Sequence, residues 1–317
     1  MLAEVILRKG EYRTLNLFWR RNGLGKTLKF FVVGTGRCGT TLVRDILRLH
    51  PGVYVPASES HWIPYQHETC GTRRQPVTVH AGIVERFSFP NGVLKADAMA
   101  ADIGVSRADL FKATRGALGR DVANVAEFND ALYGVLASAT GRSVVGDKTP
   151  CYCLYMPLLQ RLWPEAKFIH IIRDGRDVAL SMSRHSGFQR MVSLQSVSWG
   201  PLALDRGYAL EDTLGREPSL QDYMELWDAR LRPALADKQR LMPGSYLELR
   251  YENLIRNPRA ETSRLAQFLE VSRPDEWLAQ VGGMIDSCNT NKVGDPEVWK
   301  ALTAVSRETL VELDYRT

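Results

Sequence analysis

The sequence predicts an α/β fold in three layers, with a central parallel sheet flanked by helices. Three stretches carry that expectation. Residues 28–50 pass from the apolar Phe30 to Val33 through a glycine-containing turn into a helical pattern. Residues 167–185 repeat the arrangement, with apolar Phe168 to Ile172, a turn at Gly175, and a helix-like Arg176 to Arg184. Ser245 to Leu249 reads as a further strand, followed by Arg250-Tyr251-Glu252-Asn253-Leu254. Short apolar runs bounded by turn residues read as buried strands, and strands alternating with helices read as crossover units of a parallel sheet.

In chain order, residues 1–27 read as an N-terminal helical extension, an amphipathic helix followed by a basic turn. Its cluster of Arg20, Arg21 and Lys26 lies beside Gly23 and Gly25 and reads as a solvated loop rather than a nucleic-acid surface. After the first glycine turn, Thr40 can cap a helix whose Leu42, Val43, Ile46, Leu47 and Leu49 share one face. Val53 to Val55 reads as a second strand, closed by Pro56, and Ala57 to Pro64 is polar and aromatic without a period. Residues 65–102 are rich in Gly, Pro, Thr and His and suggest no element. Two helical patterns occupy Ser106 to Thr140. Ser143 to Gly146 reads as a strand leading into Asp147-Lys148-Thr149-Pro150, and Tyr152 to Leu162 as helical. Residues 187–217 read as loop, Leu220 to Leu241 as a long helix, and Pro258 to Leu269 as another. No repeat, low-complexity segment or linker interrupts the chain, so a single domain over 1–317 is expected.

With 317 residues and 44% hydrophobic content, the chain can bury a large core. The first residues alternate apolar and charged side chains, unlike a signal peptide, and no stretch has a transmembrane pattern. A soluble, cytoplasmic protein without stable membrane insertion is expected. The five cysteines, Cys38, Cys70, Cys151, Cys153 and Cys288, are odd in number and suit reduced thiols. Cys151 and Cys153 lack a second pair, which speaks against zinc. The net charge of +5 is spread out and fits a protein that handles polyanionic small molecules, with no nucleic-acid partner.

The chemistry starts at the glycine turn. Gly34, Gly36 and Gly39 let successive backbone N–H groups converge, and the following helix start adds its dipole, making an anion cradle. The comparison is with the nucleotide-binding G-x-x-x-x-G-K-[ST] loop, hence a P-loop-like fold. Gly34 and Gly39 have its separation, but Thr40 stands where its lysine would be. That lysine supports a γ-phosphate, so the substitution counts against an ordinary ATPase or kinase. The positive charge here is Arg37, inside the loop. In the second unit, Arg173 ends a strand and Ser181 lies two turns into the next helix. Together they can grip a phosphate, the guanidinium bidentately and the hydroxyl by a single bond. The competing reading is an Arg173–Asp177 ion pair with Ser181 merely exposed.

These anchors resemble the sulfotransferase superfamily that uses 3′-phosphoadenosine 5′-phosphosulfate (PAPS). Gly34 to Leu42 looks like its 5′-phosphosulfate loop, and Phe168 to Asp177 with Ser181 like its 3′-phosphate motif. Tyr251-Glu252-Asn253-Leu254 with Asn257-Pro258 is similar to its Y-E-x-L segment, whose tyrosine lies near the adenine. Gly146 to Pro150 resembles the lysine-bearing turn of the carbohydrate and protein-tyrosine branch, which the chain matches better than the small-phenol branch. The anchors follow the family's order over residues 34 to 258. The resemblance implies a PAPS-binding set of Arg37, Cys38, Gly39, Thr40, Thr41, Arg173, Ser181 and Tyr251. Ser287 and Lys292 are added on a poorer match, a plain loop being the other reading. It also implies transfer to a hydroxyl of a small metabolite, lipid or glycoside, or of a protein tyrosine, without a metal. Oligomeric state is left open. Two other classes stay open as well: a P-loop nucleotide kinase using ATP and magnesium, and a non-catalytic nucleotide-binding protein.

Two phosphates on one donor require two anion sites, and the sequence offers two. As the S–O bond breaks, charge grows on the bridging oxygen, where Arg37, Lys148 and loop N–H groups would stabilise it. An attacking hydroxyl needs a general base. Glu59, soon after the first helix, matches the glutamate of the protein-tyrosine and heparan enzymes. His61 is the rival, its imidazole having a suitable intrinsic pKa, and His67, His80 and Glu68 stay open. Cys38 stands where the protein-tyrosine branch usually has serine; it reads as a packed thiol, a reactive one beside Arg37 being the alternative. Trp62, Tyr65, Phe87, Phe89, Trp199 and Tyr208 lie in irregular stretches, either lining an acceptor pocket or simply packing.

Overall fold

A computed structural model describes residues 27–87, 94–197, 216–286 and 296–316. Seven strands occur among them: β1 Leu28–Val33, β2 Val53–Tyr54, β3 Gln75–Pro76, β4 Val122–Ala123, β5 Val144–Lys148, β6 Lys167–Ile172 and β7 Tyr246–Arg250. Five build the central parallel sheet in the order β2-β5-β1-β6-β7, with helices flanking it, and β3 pairs antiparallel with β4 apart from it. The strand order reverses direction beside β1, the place where open α/β sheets bind ligands at their carboxyl ends.

By its contacts the chain divides into two compact units, drawn from residues 1–31, 50–149 and 157–167, and from residues 32–49, 150–156 and 168–317. In the first unit, β2 runs parallel to β5 with Val53 opposite Val144 and Tyr54 opposite Val145. Its central helix, Val125–Thr140, starts at a capping box in which Asn124 and Glu127 satisfy each other's backbone N–H groups. Asp130 on that helix is fully buried, and one carboxylate oxygen accepts from the backbone N–H of Thr27 and Leu28 and from the Trp163 indole, at 3.0, 3.1 and 3.0 Å. This anchors the start of β1. The interior is filled by Phe30, Phe31, Trp62, Phe128, Tyr133 and Trp163.

In the second unit, β6 and β7 are parallel and in register from Phe168–Tyr246 to Ile172–Arg250. Helix Leu220–Asp237 presses Trp227 against Gly175, where a Cβ would sit 2.6 Å from the indole. Only glycine lets the helix after β6 approach so closely. Helix Asp275–Asp286 docks by the Trp277 indole, which donates to the carbonyl of Ile46 at 2.8 Å.

Most expected elements are present with ends shifted by a residue or two. The expected cap, Thr40, is the first residue of its helix, Thr40–Leu49. Residues 65–102, which suggested no element, hold helix Val77–Arg86, helix Lys95–Asp102 and most of helix Ile63–Cys70. The loop expected from 187 is corrected by helix Ser186–Ser193, whose Phe188, Met191 and Val192 are buried at helical spacing that Gly187 and the serines disguise. Residues 1–26 of the expected extension, and Phe89, Trp199, Tyr208, Cys288, Ser287 and Lys292, lie outside the described residues. Among the described residues no helix is long and apolar enough to cross a membrane.

Candidate active site

The second unit carries the glycine loop. β1 ends at Val33, and Gly34 donates its N–H to the carbonyl of Pro150 at 3.0 Å. A Cβ on Gly34 would lie 2.6 Å from the Cys38 sulfur and 2.9 Å from the Ile171 carbonyl oxygen. Gly36 and Gly39 have φ of 85° and 106°, and Arg37 between them adopts φ 55°, a left-handed conformation that costs a non-glycine residue roughly 1 kcal/mol. That conformation leaves Arg37 exposed at the rim while Cys38 turns inward and is fully buried. Burial pushes the Cys38 thiol up, although the Thr35 side chain and backbone N–H groups of the loop pull the other way. A raised thiol is a poor nucleophile, so Cys38 is a packed residue of the loop. Helix Thr40–Leu49 follows, and its first N–H groups have no intrahelical acceptor, as at any helix start.

The second anion motif lies in the same unit. Arg173 follows the last residue of β6, and Asp174 caps helix Gly175–Ser183, its carboxylate accepting the Arg176 N–H at 3.0 Å. Arg173 pairs with Asp177 at 3.1 Å, so the competing ion pair does form. Ser181 is nevertheless engaged: the Nε of Arg37 donates to its Oγ at 3.2 Å. The Arg173 guanidinium lies 4.3 Å from the ring centroid of Tyr251, a cation–π stack, and its Nε is buried without a partner. The other face of the motif closes on the loop, since a Cβ on Gly39 would lie 2.6 Å from the Tyr251 ring. The aromatic ring thus joins Arg173 to the glycine loop, a relation that the family segment alone did not suggest. Burial raises the Asp177 carboxyl against the pull of Arg173.

The first unit carries a separate charged cluster. Glu59 is ion-paired through Oε1 with the Lys148 ammonium, and its Oε2 lies 2.8 Å from Nε2 of His61. Ser60 is pinned by Thr149, whose hydroxyl accepts the Ser60 N–H at 3.0 Å, so the turn after β5 fixes the segment bearing Glu59. His61 has φ 62°, another left-handed non-glycine residue. Burial raises the Glu59 carboxyl, but Lys148 and His61 more than offset it and hold it well below the ordinary range. Burial, with the nearby Lys95 charge, lowers His61 to about 4 in spite of Glu59. At neutral pH the cluster therefore holds an ionised carboxylate and a neutral imidazole. Asp147, beside Lys148, is buried and raised by that burial, and accepts from the Tyr133 hydroxyl.

Of the other candidates, His80 is a core residue, bonded to the Ala123 carbonyl at 2.9 Å and stacked on Phe128. Glu68 is exposed. Trp62 is buried with its indole on Asn129, and Phe87 packs edge-on against Trp62 and Tyr65, so these three are packing residues. Sequence reading missed Lys95, buried in the Glu59 cluster, because no periodicity organised its stretch. It also missed Arg230, whose signal was present: it falls three residues after Trp227 and seven after Tyr223, on the apolar stripe of its helix.

Residues 29–275 match the model of the sulfotransferase family. The chain belongs to that family. It is a sulfotransferase, a transferase by reaction class. Among its relatives, a Caenorhabditis briggsae protein named a putative protein-tyrosine sulfotransferase is 28% identical over 295 residues, covering 90% of this chain and 84% of that protein. Among solved structures, the sulfotransferase domain from the curacin biosynthetic pathway has a TM-score of 0.56 at 18% identity, covering 91% of this chain and 98% of that domain. The sulfotransferase domain of the Synechococcus PCC 7002 olefin synthase also has a TM-score of 0.56, at 20% identity, covering 93% and 98%. At those identities the two domains establish the sulfotransferase fold, with its central parallel sheet.

Proposed function

We propose that this sulfotransferase moves the sulfuryl group of PAPS to a hydroxyl of a small metabolite, lipid or glycoside by direct in-line attack. The observation that carries the donor assignment is the Arg173 guanidinium, stacked on Tyr251 with a buried Nε that has no partner, beside a separate cation, Arg37 of the glycine loop, which holds the hydroxyl of Ser181. A buried donor without an acceptor costs about 1–3 kcal/mol, and a phosphate oxygen relieves that cost. Two separate cationic anchors suit a donor with two separated phosphates better than one with a single triphosphate chain.

In this reading Arg173 and Ser181 hold the 3′-phosphate, with Tyr251 at the adenine side. Arg37 and the N–H groups of Cys38, Gly39, Thr40 and Thr41 hold the 5′-phosphosulfate. PAPS supplies the sulfuryl group and the phosphate leaving group. Glu59 takes the acceptor's proton. Being ionised at neutral pH, it is ready to do so, and its weak basicity is set by Lys148. Lys148 stabilises the negative charge growing on the bridging oxygen. The acceptor classes follow the reading of a cytoplasmic protein; a protein tyrosine is the acceptor that the name of the Caenorhabditis briggsae relative points to.

The test is calorimetric binding of adenosine 3′,5′-bisphosphate beside AMP and ATP–magnesium. Preference for the bisphosphate by tenfold or more, lost in Arg173→Ala, is the expected result. Equal affinity for all three would end the PAPS reading. Transfer itself is checked by incubating the protein with PAPS and hydroxyl-bearing acceptors and detecting the sulfated product by mass spectrometry.

A further inference from the structure

Arg230, in the middle of helix Leu220–Asp237, has no exposed surface at all. An arginine remains protonated in any protein interior, so a full positive charge is buried here. Its guanidinium donates to the Thr35 carbonyl at 2.6 Å, the Val197 carbonyl at 2.8 Å and the Met191 sulfur at 2.9 Å, and lies 5.6 Å from the Phe188 ring centroid. Among the described residues no carboxylate pairs with it. Two carbonyls and a thioether sulfur take up its three nitrogens, and among the described residues nothing neutralises its charge. A buried charge without a counter-ion destabilises the fold even after relaxation. The fold keeps this one directly behind the glycine loop, where a Cβ on Gly36 would lie 3.3 Å from Nη1.

The contact also sets the shape of the loop. Thr35 and Gly36 share a trans peptide, in which C=O and N–H point in opposite directions. Drawing the Thr35 carbonyl toward Arg230 turns the Gly36 N–H the other way, toward the Cys38 sulfur that it helps to hold. Arg230 thus holds the carbonyl end of this peptide plane.

We propose that Arg230 is the buried counter-charge and positioning residue of the glycine loop, and that a sulfate or phosphate group bound there completes its ion pair. This rests on the reading that the loop holds the 5′ end of the donor. Arg230 acts through the loop and through its field, whereas Arg37 at the rim reaches the anion itself. An unneutralised charge in a poorly polarisable interior acts on an anion several ångströms away more strongly than an exposed arginine would.

The experiment compares adenosine 3′-monophosphate with adenosine 3′,5′-bisphosphate by calorimetry on the full chain, in the wild type, Arg230→Met and Arg230→Lys. Their affinity ratio isolates the 5′-phosphate. Arg230→Met is expected to lower bisphosphate affinity at least tenfold while changing 3′-monophosphate affinity less than twofold. Arg230→Lys keeps the charge and is expected to recover part of the ratio, and it carries the test if Arg230→Met does not fold. A ratio unchanged in the variants, or an equal loss for both nucleotides, would overturn the role of Arg230 and leave the donor reading intact. A wild-type ratio of one would remove the donor reading at the loop, and this inference with it.

Discussion

The Nε of Arg37 donates to the hydroxyl of Ser181 at 3.2 Å, joining residues 144 positions apart. Under the proposed donor reading the hydroxyl has two duties, one toward the glycine loop and one toward a phosphate at Arg173. Ser181→Ala removes both. A hydrogen bond to a charged group is worth about 1.5–3 kcal/mol, so adenosine 3′,5′-bisphosphate should bind roughly tenfold or more weakly. AMP, which has no 3′-phosphate, should lose much less. Equilibrium dialysis of both nucleotides checks the split, and an equal loss for the two would mean that Ser181 only shapes the loop.

With Glu59 as the proposed base, its cluster sets the expected pH dependence of the rate. Opposed by burial but dominated by Lys148 and His61, the Glu59 carboxyl is depressed, so it stays ionised as pH falls through the ordinary carboxylate range. His61, lowered to about 4, likewise does not change charge near neutrality. Turnover should then be flat from about pH 8 down to about pH 5, without a step at the ordinary histidine value of about 6.5. Glu59→Gln should lower turnover by about two orders of magnitude or more, with bisphosphate affinity kept. A rate that halves near pH 6.5, or a Glu59→Gln variant with near-normal turnover, would move the base elsewhere.

What could be read in the sequence was what depends on local pattern. The strand–glycine–helix unit at residues 28–50 declared itself because three glycines interrupt an apolar run, and each of them proves to face a group that leaves no room for a Cβ. Arg173 and Ser181 were legible because eight positions along a strand end and helix bring them to one side. The tie between Arg37 and Ser181 was not, since it depends on β1 and β6 being neighbours in the sheet. Helix Ser186–Ser193 escaped because its apolar stripe is only three residues long. Lys95 and Arg230 escaped for different reasons. Lys95 joins Glu59 only through tertiary folding, whereas Arg230 was visible as a charge on an apolar stripe and was passed over.

Glu252 offers a test of how the Arg173 turn is held. Its Oε1 accepts the N–H of Asp174 at 2.9 Å, immediately after Arg173, and its Oε2 accepts the Tyr315 hydroxyl at 3.2 Å. Arg176 binds the same tail through the Arg316 carbonyl at 2.7 Å, while Arg250 donates to the Leu313 carbonyl at 3.2 Å. The segment around Tyr315 is thus part of the support for the turn that carries Arg173. Tyr315→Phe should weaken bisphosphate binding about two- to fivefold, and Glu252→Gln should weaken it more, because a neutral amide holds the Asp174 N–H less strongly. Calorimetry decides between this and a remote tail, for which both variants would bind as the wild type does.

His170 supplies a prediction about stability. On β6 it is fully buried, its Nδ1 lies 2.8 Å from the Tyr246 hydroxyl, and burial together with the charges of Lys238 and Arg250 lowers it to about 3. An unfolded histidine titrates near 6.5, so between those values the unfolded chain binds a proton that the folded chain refuses. The folded state must then lose stability as pH falls from about 6.5 toward 3, by about 1.4 kcal/mol per pH unit for this one group. His61, lowered to about 4, adds a second proton of the same sign over most of that window. Glu59 adds to the loss only in the lower part of that window, below the pH 5–6 range, because a depressed carboxyl contributes stability that is lost as pH falls from its ordinary value of 4.5 toward its lowered one. His170→Gln keeps a polar partner for Tyr246 but removes the titration. Urea unfolding between pH 5 and pH 6 should therefore show a slope against pH smaller by close to one proton than the wild type's. An unchanged slope would mean that His170 takes up its proton in the folded protein, and the buried neutral pair with Tyr246 would have to be abandoned.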